Sequence, residues 1–349
     1  MEVIEPIPPL ERPEGLWVDW SDLPVEMLQE ISKMLRDIFD FVYFRAVCKK
    51  WRSATSISDL PPQLPWLLER QFNSSNNETL RFYSLFSDKI RTIHCPLARG
   101  KFFTGPSHGY LYAASHGSLH LNCYLLNPIT KDVLPFASTR YQRPFLVCMG
   151  PDPVKSDDYM AFIDDTFSQT MGFYRPRYWE WTYVQMPSLE LNLYHPCLKG
   201  AYYMSEDETG DTVVVDIACG FSFTVPSPKI PASSDHVYFV ESAGKILRID
   251  KQLNRSFAIY HLHVEGEIGQ SRWVKTNCIG NQILFLDLRN GISITASPST
   301  GLRGNCVYYL ESPGVLKYNI EDGQTEKVPC PFKTGSTWLV PDVIDYQRK

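Results

Sequence analysis

Across the proline-dense segment Leu60-Pro61-Pro62-Gln63-Leu64-Pro65 the hydrophobic pattern of this chain changes period. Before it, apolar residues recur at helical spacing. After it, from about Leu80, they come in short runs broken by polar turns. One packing scheme cannot serve both sides. Each proline fixes its own φ and turns the residue before it toward extended conformations, so the joint is a semi-rigid spacer. A length of 349 residues allows two domains or one large all-β domain. The change of period points to a small helical piece followed by a large β piece.

Residues 1–19 hold five acids and no sustained period, and are expected to be a flexible acidic tail. Order is expected from Trp20. Ser21 or Asp22 can cap a helix, Pro24 suits its first turn, and Glu26 lies near the positive end of the helix dipole. At about 100° per residue, Met27, Leu28, Ile31, Met34, Leu35 and Ile38 fall within an arc of roughly 120°. A break around 37–40 precedes a second stripe, Phe44, Val47, Cys48 and Trp51, read as one further helix. Two or three short helices in about 40 residues enclose little core. Their apolar stripe packs either on the rest of this chain or on another protein.

The β piece carries a degenerate repeat of strand, polar turn, strand and proline exit. It is visible in CYLLNPITKDVLPF (123–136), TVVVDIACGFSFTVP (212–226) and GVLKYNIEDGQTEKVP (314–329). Taking Asp88, Asn127, Arg175, Asp216, Asp250, Asp287 and Asn319 as turn anchors, the interval averages about 39 residues. That is close to the ~40 residues of a propeller blade. Further apolar runs between the hairpins allow four strands per unit. A propeller of six or seven blades and a sandwich with extra hairpins both fit this periodicity.

Composition narrows the function classes. The 34 basic and 39 acidic side chains give a net charge of -5. The first thirty residues sum to -7 and the remainder to +2, so no general nucleic-acid binder is expected. Lys49, Lys50 and Arg52 are read as a solvated face. Nine scattered cysteines with no close pair fit reduced thiols, and with no secretory or membrane signal they suggest the cytoplasm or nucleus. No GxGxxG, Walker loop, GxSxG or HExxH occurs. His261 with His263, and His116 with His120 near Cys123, lack a full zinc ligand set. His195-Pro196-Cys197 could suggest a Cys–His pair, but sequence neighbours rarely have the geometry of a catalytic dyad. Asp157-Asp158 and Asp164-Asp165 lack calcium-loop spacing. Arg175, Arg177, Tyr178, Trp179 and Trp181 form an aromatic and basic cluster that either fills the space between blades or presents a binding surface. No catalytic residue, metal or cofactor is assigned.

Leu23-Pro24, then Leu28, Ile31, Leu35 and the string FRAVCKKWRSA (44–54) resemble an F-box, with its LP and VCxxW elements properly spaced. SHGYLY (107–112), LLNPITKDVLPF (125–136), RWVKTNCIGNQILFL (272–286), GLRGNCVYYL (301–310) and EDGQTEKVPCPFKTGSTWLVP (321–341) are similar to plant F-box proteins with a C-terminal kelch-like propeller. Tyr110 stands where that family usually has Trp. The resemblance implies a multidomain α+β chain: a trihelical F-box (20–58), a proline-rich connection (59–79) and an all-β propeller (80–345). It also implies docking on a Skp-type adaptor, and through it a cullin, by Leu23, Pro24, Leu28, Ile31, Leu35, Val47, Cys48 and Trp51. The propeller would then recruit an unidentified substrate protein for ubiquitination, with no catalysis by this chain and no membrane or nucleic-acid partner. The rival expectations are a propeller hydrolase or lyase, and a binding module that does not promote degradation.

Overall fold

The computed structural model describes residues 20–35, 37–56, 60, 63–69, 78–107, 109–115, 123–135, 145–150, 160–165, 170–175, 179–185, 197–199, 201–206, 209–216, 222–228, 234–264, 271–287, 291–298, 301–332 and 335–342. They fall into two compact units, Met1–Pro61 and Pro62–Lys349. None of the helices described is long and apolar enough to cross a membrane.

The first unit contains a 3-10 turn at Trp20–Asp22 and three helices: α1 (Val25–Met34), α2 (Ile38–Ala46) and α3 (Lys49–Ser53). Pro24, not Ser21 or Asp22, holds the cap position of α1, and no side chain caps that helix. Pro24 is extended, and Trp20–Asp22 is already committed to its own turn. Asp37 caps α2, accepting from the Phe39 N–H at 2.9 Å. The second expected helix is two, because Cys48 adopts an extended conformation between Ala46 and Lys49. Arg45 on α2 bonds the carbonyl and hydroxyl of Thr55 just beyond α3, tying the two helices together. Leu28, Phe44 and Ala54 form the centre of this unit, with Leu23, Ile31, Leu35 and Trp51 packed around them. Phe44 and Trp51 lie 4.5 Å apart between ring centroids.

The described part of the second unit is built of β-strands, with a short 3-10 turn at Pro96–Ala98. Its first strands are β1 (Trp66–Glu69), β2 (Thr79–Ser84) and β3 (Lys89–His94). Four-stranded meanders follow: β4 (Lys101–Ser107), β5 (Tyr110–Ser115), β6 (Tyr124–Leu126) and β7 (Val133–Pro135); then β8 (Phe145–Gly150), β9 (Met160–Asp165), β10 (Thr170–Arg175) and β11 (Glu180–Gln185). The next two are β12 (Cys197–Leu198), β13 (Ala201–Ser205), β14 (Thr212–Asp216) and β15 (Ser222–Val225), and β16 (Ser234–Ser242), β17 (Lys245–Gln252), β18 (Phe257–Val264) and β19 (Ser271–Thr276). The chain ends with β20 (Gln282–Leu286), β21 (Gly291–Thr295), β22 (Cys306–Leu310), β23 (Val315–Asn319), β24 (Thr325–Val328) and β25 (Gly335–Leu339).

The core of this unit lies between sheets, as in a propeller. One cluster joins Tyr238, Leu247 and Ile259 to Leu284, Val307 and Tyr309 of the following sheet. Another joins Tyr203, Val214 and Val225 to Phe239, Ile246 and Trp273. The first strands of successive sheets lie side by side, β4 next to β8 and β8 next to β12. Between β14 and β17 the buried Arg248 guanidinium bonds Asp250 at 2.9 Å, the Gly210 carbonyl at 2.6 Å and the Thr212 hydroxyl at 3.1 Å. It thus straps two neighbouring sheets together.

The expectation of six or seven blades is corrected to five. Five sheets have the four-stranded form of a blade; the remaining one has five strands in the order β21-β20-β22-β23-β24. Two of the sequence repeats, anchored at Asp287 and Asn319, merge in this sheet. The hairpin β20–β21 places β21 beside β16, so β22 cannot follow as a meander and pairs parallel with β20 instead.

Closure uses both ends of the unit. β25 pairs antiparallel with β1, Leu67 opposite Trp338, and the sheet order is β25-β1-β2-β3. Trp338 is fully buried. The buried Asp287 carboxylate accepts from the Thr337 hydroxyl at 2.6 Å and the Trp338 N–H at 3.1 Å, and the Trp338 indole donates to the Leu286 carbonyl at 3.1 Å. Just beyond β25, the Asp342 carbonyl accepts from Asn127 at 3.0 Å. Gly109 permits this crossing: its φ is +79°, and a Cβ there would stand 2.6 Å from the Asp342 Cβ.

Candidate functional site

The eight residues expected to form one contact face have three different environments. Leu28 has no exposed surface, and Leu23, Ile31, Leu35 and Trp51 are half-buried around it. These five share the interior of the helical unit. Cys48 is half-buried in the α2–α3 link, while Pro24 is exposed and Val47 is 58% exposed.

The helical unit carries other apolar side chains that reach solvent: Trp20, Val25, Met27, Met34 and Tyr43. With Val47 they make six of the eleven large hydrophobics exposed among the described residues. The helical unit, far smaller than the β unit, therefore carries more than its share of exposed apolar surface. Met27 and Met34 are seven positions apart, two turns, on the same side of α1. Both lie in the apolar arc visible in the sequence. That arc is wide enough to serve two surfaces: its Leu28–Leu35 side faces inward and its Met27–Met34 side faces solvent. The signal in the sequence was the width of the arc.

Charge on the unit is divided. Glu26 and Glu30 are exposed on α1, where Glu30 pairs with Lys33 at 2.6 Å, and Lys49, Lys50 and Arg52 are exposed on α3. An exposed pair of this kind contributes little to stability. Trp51 is committed twice: its ring lies on Phe44, and its indole N–H donates to the Trp20 carbonyl at 3.1 Å.

In the β unit, His261 on β18 is half-buried and His263 exposed. Burial, Lys245 and His263 hold the His261 imidazole below its usual value. No group of three potential metal ligands occurs among the described residues. His116, His120, His195, Asp157, Asp158, Arg177 and Tyr178 lie outside the described residues, and Asp164, Asp165 and Arg175 fall on strands where only the backbone is described. Trp181 packs on Tyr174, ring centroids 5.1 Å apart, whereas Trp179 is 63% exposed in the β10–β11 turn. The aromatic cluster is therefore split between the core and the surface. Burial raises the Asp250 carboxyl, with Arg248 opposing it, but this pair is enclosed between sheets and serves packing. Tyr110 is buried and donates to Asp132 at 2.6 Å.

Comparison with known proteins agrees with this division. An F-box domain model matches residues 20–62, and a KIB1-4 beta-propeller model matches residues 82–333. The F-box/kelch-repeat protein At1g64840 of Arabidopsis thaliana is 23% identical, over 88% of this chain and 89% of that one. The Arabidopsis thaliana F-box protein SKIP23 is 57% identical over 37 residues, 11% of this chain and 9% of its own. Among solved structures, TolB from Acinetobacter baumannii gives a TM-score of 0.49 at 9% identity, over 80% of this chain and 67% of that chain.

Proposed function

Because the chain belongs to the KIB1-4 beta-propeller family and carries an F-box domain ahead of the propeller, we propose that it is the substrate receptor of a Skp-cullin-F-box ubiquitin ligase. F-box proteins with a propeller are generally receptors of this kind. The helical unit docks on a Skp-type adaptor, the propeller recruits a target protein, and ubiquitin transfer is accelerated by proximity while its chemistry takes place elsewhere in the ligase. The six cysteines whose side chains are described are free, which suits the cytoplasm or nucleus.

The observation that carries the docking step is the exposed apolar side of the helical unit. The interior residues Leu28 and Leu35 support docking by holding the helices, and Met27, Met34 and Val47 supply contact area. Large apolar side chains in water are costly until a partner covers them. The test is binding of the whole chain to a purified Skp-type adaptor, comparing wild type with Met27→Asp/Met34→Asp/Val47→Asp. The expected result is a loss of at least about tenfold in affinity with unchanged helical circular dichroism. Undiminished binding by the folded triple variant overturns this face.

A further inference from the structure

The helical unit contains two tryptophans in opposite situations joined by one hydrogen bond. Trp51 has its ring on Phe44 and among the interior residues, and its N–H points at the carbonyl of Trp20, 31 residues earlier. Trp20 is 64% exposed and begins a 3-10 turn in which none of the three residues is buried. The turn's own closing bond, Leu23 N–H to the Trp20 carbonyl, is 3.5 Å long, at the outer limit of a hydrogen bond. The turn's own three residues thus add little burial to hold it, and its internal bond is weak. The 3.1 Å bond from Trp51 is the stronger of the two on that carbonyl.

From this we infer that Trp51 is a positioning residue and Trp20 the aromatic anchor. The Trp51 indole N–H fixes the backbone of the first turn, and the turn presents the Trp20 ring to the adaptor. This rests on the docking function proposed above. A tryptophan held in place before contact loses less freedom on binding, and buried aromatic rings are preferred anchors at interface centres. The partner chemistry is an apolar pocket on the adaptor sized for an indole. The arrangement also gives Trp51 a use beyond filling space. Phenylalanine would fill the place beside Phe44 but carries no donor for the Trp20 carbonyl.

A double-mutant cycle on the whole chain tests the coupling, read as affinity for a purified Skp-type adaptor. Trp51→Phe keeps an aromatic ring and removes the donor. It is expected to weaken binding about fivefold, the effect of one net hydrogen bond. Trp20→Ala is expected to weaken it about tenfold or more. The double variant should bind as Trp20→Ala does, within about twofold, because the donor has nothing left to position. Should Trp51→Phe disturb the helices, benzothienylalanine at position 51 keeps the bicyclic ring and removes only the N–H. Independent effects that multiply, or unchanged binding on losing the donor, overturn the positioning role while leaving docking intact. A wild-type chain that does not bind the adaptor overturns the docking reading itself.

Discussion

Met27 and Leu28 are sequence neighbours in one apolar stripe, yet Met27 is 51% exposed and Leu28 fully buried. A helix turns 100° between them, which separates a residue that holds the unit together from one that can meet a partner. Leu28→Ala should destabilise the helical unit by about 2–5 kcal/mol, measured as lost helical signal on denaturation, whereas Met27→Ala should cost under about 1 kcal/mol. The sequence pattern identified the stripe and the LP and VCxxW elements, but not which edge faced inward. That choice depends on Phe44 and Ala54 arriving from α2 and the end of α3. The cysteines divide in the same way. Cys306 is buried and its thiol is pushed up to about 11, chiefly by burial, whereas Cys278 is exposed. Alkylation of the native protein at pH 8 followed by peptide mapping should modify Cys278 well before Cys306, Cys95 or Cys123. Equal rates would contradict the described burial.

Among elements, β25 has the greatest effect on the fold for its length. It inserts Trp338 into a cluster with Leu67, Phe285 and Tyr308, and Asp287 holds two of its polar groups. Trp338→Ala should cost about 3–5 kcal/mol, seen as a lower denaturation midpoint of the β unit. With β25 loosened, β1 becomes an unpaired edge, so the variant should also form larger species on size-exclusion chromatography. The individual hairpins were legible because turn residues and alternating apolar runs are local signals. Their grouping was not. Whether the Asp287 and Asn319 hairpins form two blades or one five-stranded sheet depends on where β21 settles, against β16, and no local residue pattern records that choice.

For the whole molecule, the division into two units falls between Pro61 and Pro62, inside the proline-dense segment, and the β unit begins with β1 at Trp66, ahead of the Leu80 start expected from the pattern. A chain beginning at residue 62 should fold, with strand-type circular dichroism and one cooperative transition. A chain beginning at residue 79 lacks β1 and should not, because β25 then loses its partner. A folded second fragment would show that β1 is dispensable. The docking proposed for the helical unit and the recruitment proposed for the propeller can thus be studied apart. Pairing of β1 with β25 also sets a timetable for the living cell. The ribosome makes β1 early and β25 about 270 residues later. At about 5–20 residues per second, the open ring waits roughly 15–55 s for its last strand. Throughout that interval its unclosed edges are exposed to every other nascent chain nearby, so quality control has its longest opportunity to intervene before the ring is shut.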